Sequence, residues 1–182
     1  RPLTEFSPFA HYARYIDVPS QEVLQGVRVY HPRYFVIPKV GMLLTPVFMA
    51  LSILFALFKV RNHGYAYDLV DAHYYYPDGV AVAILAKLLN KPIVITARGS
   101  DINIIADAYI PRKMILWAER RAAASITVCQ ALAQRMIDMG AEPEKNHVLR
   151  NGVDLELFKP KDYDAIRNKW GVAGVTLLSV GN

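Results

Sequence analysis

A regular alternation of short strands and amphipathic helices, which begins at Tyr67, constrains the fold of this chain more than any other feature. The strand segments are rich in β-branched residues, and a longer segment with one apolar side separates each from the next. Repeated strand–helix–strand units pair their strands in parallel and pack helices against the sheet. The sequence therefore predicts an α/β fold with a Rossmann-like parallel sheet and helices on both faces. The predicted strands are residues 67–73, 92–97, 125–129, 147–149 and 175–180, and the predicted helices are residues 77–90, 111–123 and 130–139.

The composition supports a folded domain and excludes several classes of protein. Of 182 residues, 53% are hydrophobic and 20% are charged, which excludes a disordered chain, a collagen and a coiled coil. The sequence holds one cysteine, Cys129, so a disulfide framework and a cysteine-based zinc site are excluded. Because it lies in an apolar stretch, we expect Cys129 to be a packed residue rather than a nucleophile.

The chain is mildly basic, with 21 Lys and Arg residues against 16 Asp and Glu residues and a net charge of +5. Its densest basic groups are pairs of residues rather than a tail or a long stripe, so we predict no nucleic-acid partner. An anionic membrane surface or a phosphate-bearing substrate fits this charge at least as well.

The longest uncharged segment, residues 40–58, must be tested as a membrane span. Its 19 residues come close to the roughly 20 that a bilayer requires. A strand pattern precedes the segment at residues 27–30 and another follows at residues 67–73, and a span would place the two on opposite sides of a membrane. We therefore predict a helix over residues 46–61 that belongs to the domain. Contact with a membrane surface and a true span are the alternatives.

A polar, turn-rich segment over residues 151–161 interrupts the alternation and indicates a domain boundary. We predict that residues 1–154 form a Rossmann-like domain and that residues 155–182 form a connection and the first strand of a second domain. The first residue is Arg1 rather than Met, so we expect the chain to be a piece of a longer protein.

Polar residues gather where the predicted strands end. Open parallel sheets bind their ligands beyond the carboxyl ends of the strands, and those ends meet at one edge. The sequence places a histidine and a tyrosine at the end of the first predicted strand, an Arg-Gly-Ser-Asp run at the end of the second and an Asn-Gly pair just after the fourth. The candidate site residues are therefore His73, Tyr74, Arg98, Gly99, Ser100, Asp101, Asn151 and Gly152.

Each candidate also has a structural alternative, which the sequence leaves open. His73 can serve a hydrogen bond to the backbone, Gly99 a tight turn, and Arg98 with Asp101 an ion pair that orders the loop. The Asn-Gly pair can be a simple turn. The motifs of dinucleotide oxidoreductases, P-loop NTPases, zincins and α/β-hydrolases are absent from the sequence.

Several segments carry a resemblance through their order and spacing: residues 68–79 (DLVDAHYYYPDG), 91–101 (KPIVITARGSD), 125–129 (SITVC), 148–154 (VLRNGVD) and 158–160 (FKP). Together they resemble the amino-terminal domain of family 4 retaining glycosyltransferases of the GT-B fold. The resemblance covers roughly residues 27–182, and residues 177–182 are similar to the first strand of that fold's second domain.

The resemblance implies an enzyme that moves a sugar, as a hexosyltransferase does, from a nucleotide-sugar to a saccharide or lipid-linked acceptor. It implies retention at the anomeric carbon, no metal and no other cofactor. The acceptor would bind mainly to this domain and the nucleotide mainly to a following domain, so this fragment alone is expected to be inactive. The first strand of the fold and its glycine-rich turn are expected before residue 1.

The resemblance also suggests roles for the candidates. Family members commonly have a histidine at the position of Arg98, and an arginine cannot act as a base but can neutralise a leaving diphosphate. We predict that Arg98 and His73 are catalytic. We predict donor or acceptor binding for Tyr74, Gly99, Ser100, Asp101, Asn151 and Gly152.

Two other functions stay open on the level of the fold, namely a sugar-nucleotide epimerase and a non-catalytic module that binds sugars or nucleotides. An acidic nucleotide-ribose motif in the following domain would favour transfer, and its absence would favour a binding module. We expect a cytoplasmic protein of polysaccharide biosynthesis, with a peripheral position on the cytoplasmic face of the membrane as one alternative.

Overall fold

The computed structural model describes residues 17–37 and 41–179. This part of the chain divides between Arg150 and Asn151 into two compact units. The first unit carries the sheets, and the second carries the last helix. The predicted domains, with their boundary at residues 154 and 155, stay a prediction about the whole protein.

Short strands and helices follow each other along the described residues. The strands are β1 (Gln21–Leu24), β2 (Val27–Tyr30), β3 (Val70–His73), β4 (Ile93–Ala97), β5 (Ala124–Thr127) and β6 (Asn146–Val148). The helices are α1 (Thr45–Asn62), α2 (Val80–Leu89), α3 (Ser100–Asn103), α4 (Tyr109–Arg121), α5 (Gln130–Asp138) and α6 (Tyr163–Trp170).

Four of the strands form a parallel sheet in the order β3-β4-β5-β6, with helices between them along the chain. The predicted α/β class with a Rossmann-like parallel sheet is confirmed. Strand β4 lies at the centre, and its Ile93, Ile95 and Ala97 side chains are completely or almost completely buried. They pack with apolar residues of α2, α4 and α5, including Val80, Ala83, Ile115, Leu116, Leu132 and Met136. A strand that is buried in this way reads as a continuous β-branched run, which is why the sequence revealed it.

A separate antiparallel hairpin precedes the parallel sheet. Strands β1 and β2 pair with Gln21 opposite Tyr30 and Leu24 opposite Val27. The predicted strand at residues 27–30 is β2, whereas β1 was not predicted. The two residues of the turn, Gln25 and Gly26, have φ of 50° and 82°, the positive values that suit a two-residue hairpin turn.

The long uncharged segment forms α1, as the sequence predicts. Its Met49 and Ala50 are buried against Ala81 and Leu85 of α2, so one face of α1 belongs to the domain. Among the described helices, α1 is long and apolar enough to cross a bilayer, with a mean hydropathy of 1.3 over 18 residues. That finding concerns length and composition only, and core helices of soluble proteins share it.

The second unit differs from its prediction. Residues 175–179 form no strand, and Val175 and Leu177 are almost fully exposed, while Val180 lies outside the described residues. A strand needs a neighbour for its backbone groups, and within the described part of this unit no segment pairs with these residues. Helix α6 was missed, although Asp162 is a typical N-cap whose carboxylate accepts the N–H groups of Asp164 and Ala165 at 3.0 and 3.1 Å.

The expectation that Cys129 is packed is also wrong. Strand β5 ends at Thr127 rather than at residue 129, so Cys129 precedes α5 and its side chain is exposed.

A glycine allows the chain to pass closely over the central strand. Gly79 is buried before α2, and its N–H donates to the carbonyl of Tyr74 at 2.8 Å. A Cβ atom at this position would lie 2.7 Å from Cγ2 of Ile95 and 3.2 Å from the Tyr74 oxygen. Only a residue without a side chain fits here.

We predict that Gly79→Ala lowers the free energy of unfolding by about 1–3 kcal/mol, because the buried Ile95 side chain has no room to move away. Chemical denaturation of both proteins measures the change. Gly152→Ala is the matched control, since a Cβ at Gly152 would meet nothing within 4 Å. Equal loss of stability in the two variants would contradict the prediction.

Candidate functional site

Strands β3 and β4 end side by side, and this places two of the predicted sequences together. His73 is the last residue of β3 and pairs in register with Thr96, one residue before the end of β4. Arg98 follows β4 directly, and α3 then begins at Ser100. The carboxyl edge of the sheet therefore brings together His73, Tyr74, Arg98, Gly99, Ser100 and Asp101.

Three side chains form a hydrogen-bonded chain on this edge. An Arg98 nitrogen lies 2.8 Å from Nδ1 of His73, and Nε2 of His73 lies 3.0 Å from Oδ2 of Asp71. A guanidinium can only donate, so Nδ1 of His73 accepts. Nε2 then carries the proton and donates to the Asp71 carboxylate. All three side chains are accessible at the surface, where a ligand can reach them.

Asp101 holds the two loops of the edge together from inside. It is fully buried, and its carboxylate accepts the backbone N–H groups of Tyr75 at 2.8 Å, Arg98 at 3.1 Å and Gly99 at 2.8 Å. Tyr75 follows β3, whereas the other two residues follow β4. Asp101 is thus placed to fix the backbone of the site rather than to meet a ligand.

The backbone around this carboxylate has unusual angles. Gly99 has a φ of 136°, which an L-residue rarely adopts, and Tyr74 has a φ of 89° although it is not a glycine. The N–H of Tyr74 donates to the carbonyl of Thr96 at 2.9 Å, and the Tyr74 hydroxyl bonds to that of Ser100. Several bonds therefore hold Tyr74 in a conformation that costs about 1–3 kcal/mol.

The carboxyl group of Asp78 lies near that of Asp101. Burial raises the pKa of Asp78 above its ordinary value, and the negative charge of Asp101 adds to this effect. A hydrogen bond from the backbone N–H of Asp78 opposes it. Two acidic residues thus lie beneath the edge, while the guanidinium of Arg98 lies on its surface.

Two of the predicted site residues lie in the second unit. Asn151 and Gly152 belong to the second unit and are exposed there. Their predicted binding roles stay predictions.

Sequence reasoning missed Asp71 and Tyr75 as parts of the site. Asp71 stands two residues before His73 on a strand, and this spacing puts both side chains on one face. The spacing of Asp71 and His73 in the sequence could therefore have identified Asp71 as part of the site. Tyr75 contributes only its backbone N–H to the site, and the residue type gives no indication of such a role. The Tyr75 side chain lies in the core, where its hydroxyl donates to Ser125 at 2.8 Å.

The sequence matches a known family over most of its length. The model of the family described as Glycosyltransferase Family 4 matches residues 8–157. The chain belongs to Glycosyltransferase Family 4. The resemblance to family 4 glycosyltransferases noted in the sequence is thereby confirmed.

Two curated relatives of this family 4 domain are glycosyltransferases by name. The putative teichuronic acid biosynthesis glycosyltransferase TuaC of Bacillus subtilis is 27% identical over 159 residues, which are 85% of this chain and 39% of TuaC. D-inositol 3-phosphate glycosyltransferase 1 of Catenulispora acidiphila is 29% identical over 120 residues, which are 58% of this chain and 27% of that protein. The chain thus spans less than half the length of these relatives.

Solved structures share the fold. Anabaena Alr3699/HepE in complex with UDP has a TM-score of 0.54 at 22% identity, and the match covers 76% of this chain and 35% of that chain. The same protein in complex with UDP-glucose has a TM-score of 0.51 at 22% identity and covers 66% of this chain and 32% of the other. At this level of identity the match confirms the fold of the family 4 domain.

We predict that Asp101→Asn lowers the free energy of unfolding by about 1–3 kcal/mol. An amide has one oxygen where the carboxylate has two, so at least one of the three buried N–H groups would face an NH₂ group. Denaturant titration measures the loss.

Asp107→Asn is the matched control for Asp101→Asn. The Asp107 carboxylate pairs with Arg135 at 2.6 Å on the surface, so this change should cost less than about 1 kcal/mol. If both variants lose equal stability, Asp101 does not organise the edge as described.

Proposed function

We propose that this chain is the acceptor-side domain of a retaining glycosyltransferase that moves a sugar from a nucleotide-sugar to a saccharide or lipid-linked acceptor. Membership of Glycosyltransferase Family 4 supports the sugar transfer. The observation that carries the proposal for this chain is the Arg98 guanidinium, held by His73 at the carboxyl edge of the sheet. Ligands of open parallel sheets bind at this edge.

The chemistry of transfer explains why a guanidinium is useful there. When the bond between the sugar and the diphosphate breaks, negative charge develops on the leaving phosphate oxygen. A permanently charged group that is already in place stabilises this charge more in the transition state than in the ground state. An arginine side chain supplies a permanent positive charge, and it cannot act as a base.

In this arrangement His73 is a positioning residue. Nδ1 of His73 accepts from Arg98 and Nε2 donates to Asp71, so both ring nitrogens are engaged. We therefore assign to His73 and Asp71 the task of aiming the guanidinium. In this proposal a positioning role replaces the catalytic role that the sequence predicts for His73.

The neighbouring residues suit ligand binding. The hydroxyl groups of Tyr74 and Ser100 are bonded to each other at the edge, and each can exchange this bond for one to a sugar hydroxyl. Gly99 leaves space above its backbone, since a Cβ there would meet nothing within 4 Å. We also propose that Asn151 and Gly152 bind the donor or the acceptor. We propose the cytoplasm as the place of this activity.

The first test is a screen of nucleoside diphosphate sugars with the full-length enzyme, with release of nucleoside diphosphate as the readout. Release that depends on an acceptor, together with an α-linked product from an α-linked donor, supports retaining transfer. Conversion of the donor into an epimerised nucleotide-sugar, without an acceptor, would favour an epimerase. Binding of sugars with no turnover of any donor would favour a binding module.

We predict that Arg98→Ala lowers kcat by roughly 10²–10³-fold with little change in Tm, because the lost contact acts mainly in the transition state. Turnover and thermal melting of the full-length enzyme are measured together. Arg121→Ala, which removes an exposed guanidinium stacked on Trp117, is the matched control and should keep near-normal turnover. Near-normal turnover of Arg98→Ala would show that the assignment is wrong.

The role of His73 has its own test. An asparagine or glutamine side chain keeps one acceptor for Arg98 and one donor for Asp71, whereas an alanine keeps neither. We predict that His73→Gln or His73→Asn retains about tenfold more activity than His73→Ala, with KM for the donor less affected than kcat. A base cannot be replaced by an amide, so equal loss of activity in all three variants would contradict a positioning role.

A further inference from the structure

Helix α1 exposes a continuous apolar stripe. Val47, Leu51, Phe55 and Phe58 follow each other at intervals of three and four residues, which places them on one face of the helix. Their exposed fractions are 43%, 51%, 71% and 52%. Met42, Leu43 and Leu44, just before the helix, are exposed as well. We name the four helical residues the α1 stripe.

The α1 stripe is not the face that serves the core. Pro46, Met49 and Ala50 lie on the other side of the helix and are buried. A surface helix of a globular domain normally carries polar residues opposite its core face. Here both faces are apolar, and large exposed apolar patches mark sites of interaction.

The charged residues of α1 itself are of one sign. Helix α1 contains no Asp or Glu, and its last turn carries Lys59 and Arg61. At about 100° per residue, these two cations fall on opposite borders of the stripe. The amino group of Lys59 also lies over an aromatic ring, with Nζ 5.3 Å from the centre of the Tyr30 ring.

This combination has a specific physical meaning. An apolar stripe with cations at both borders of its last turn, and a tyrosine beside one of them, is typical of a helix that lies in the interface of a bilayer. The apolar residues enter the acyl region, the tyrosine suits the headgroup level, and the cations meet anionic lipids. A protein partner that covered the apolar residues would not by itself require these two cations.

We propose that the α1 stripe binds the surface of an anionic bilayer, with α1 lying in the plane of the interface. The opposite face is held against Ala81 and Leu85 of α2. The helix therefore cannot enter the bilayer completely without leaving its domain, which favours a surface position over a span. The proposal is independent of the sugar-transfer chemistry.

Vesicle binding of the full chain tests this proposal. Vesicles of phosphatidylcholine with about 30% phosphatidylglycerol are compared with vesicles of phosphatidylcholine alone, and sedimentation gives the bound fraction. We expect binding to the anionic vesicles, and at least about tenfold weaker binding for Leu51→Ser/Phe55→Ser. Lys59→Gln/Arg61→Gln should lose the preference for anionic lipid.

Matched variants keep the result interpretable. Leu149→Ser/Ile104→Ser changes two exposed apolar residues outside the stripe and should bind as the parent does. Circular dichroism and melting temperature verify that each variant is folded. Absence of vesicle binding by the parent chain, or undiminished binding by folded Leu51→Ser/Phe55→Ser, would overturn the proposal. If alkaline carbonate fails to extract the full-length protein from membranes, the proposal is wrong as well, because that result indicates a membrane span.

Discussion

The edge of the sheet depends on one buried carboxylate. Asp101 accepts backbone N–H groups from Tyr75, which follows β3, and from Arg98 and Gly99, which follow β4. Water cannot replace these bonds because Asp101 is fully buried. One side chain therefore fixes the distance between two loops that are far apart in the sequence. The direction in which Arg98 leaves the sheet, and with it the contact to His73, follows from this constraint.

The same constraint explains why an unusual backbone persists at this place. Tyr74 lies between β3 and the Tyr75 N–H that Asp101 binds, and its φ of 89° is held from both sides. Its own N–H bonds to Thr96 and its carbonyl accepts the N–H of Gly79. Such conformations survive where the surroundings determine them more than once, and they are frequent at functional sites. Here the result is a tyrosine hydroxyl placed beside Ser100 at the edge.

Much of this architecture could be predicted because it depends on local patterns. The β-branched run of β4 and the periodic apolar residues of α2 identify their elements, and the carboxyl-edge rule brings His73 and Arg98 together. The features that could not be predicted depend on the three-dimensional arrangement of the backbone. Tertiary geometry buries Asp101 and places backbone N–H groups, rather than a cationic side chain, next to its carboxylate. Residues 175–179 show that an apolar, β-branched pattern is not sufficient for a strand. A strand also needs a neighbouring strand for its backbone hydrogen bonds, and the pattern does not supply one.

A hydrogen bond links the segment just before α1 to the loop that builds the edge. The hydroxyl of Tyr76 donates to the carbonyl of Met42, just before α1, and Tyr76 follows the residue whose N–H Asp101 binds. The start of the helix is therefore anchored to the loop that builds the edge. If the α1 stripe lies on a bilayer, this hydrogen bond holds the loop of the edge to the helix that binds the lipid surface. Because a lipid-linked acceptor lies in the same surface, the two proposals together favour it over a free saccharide.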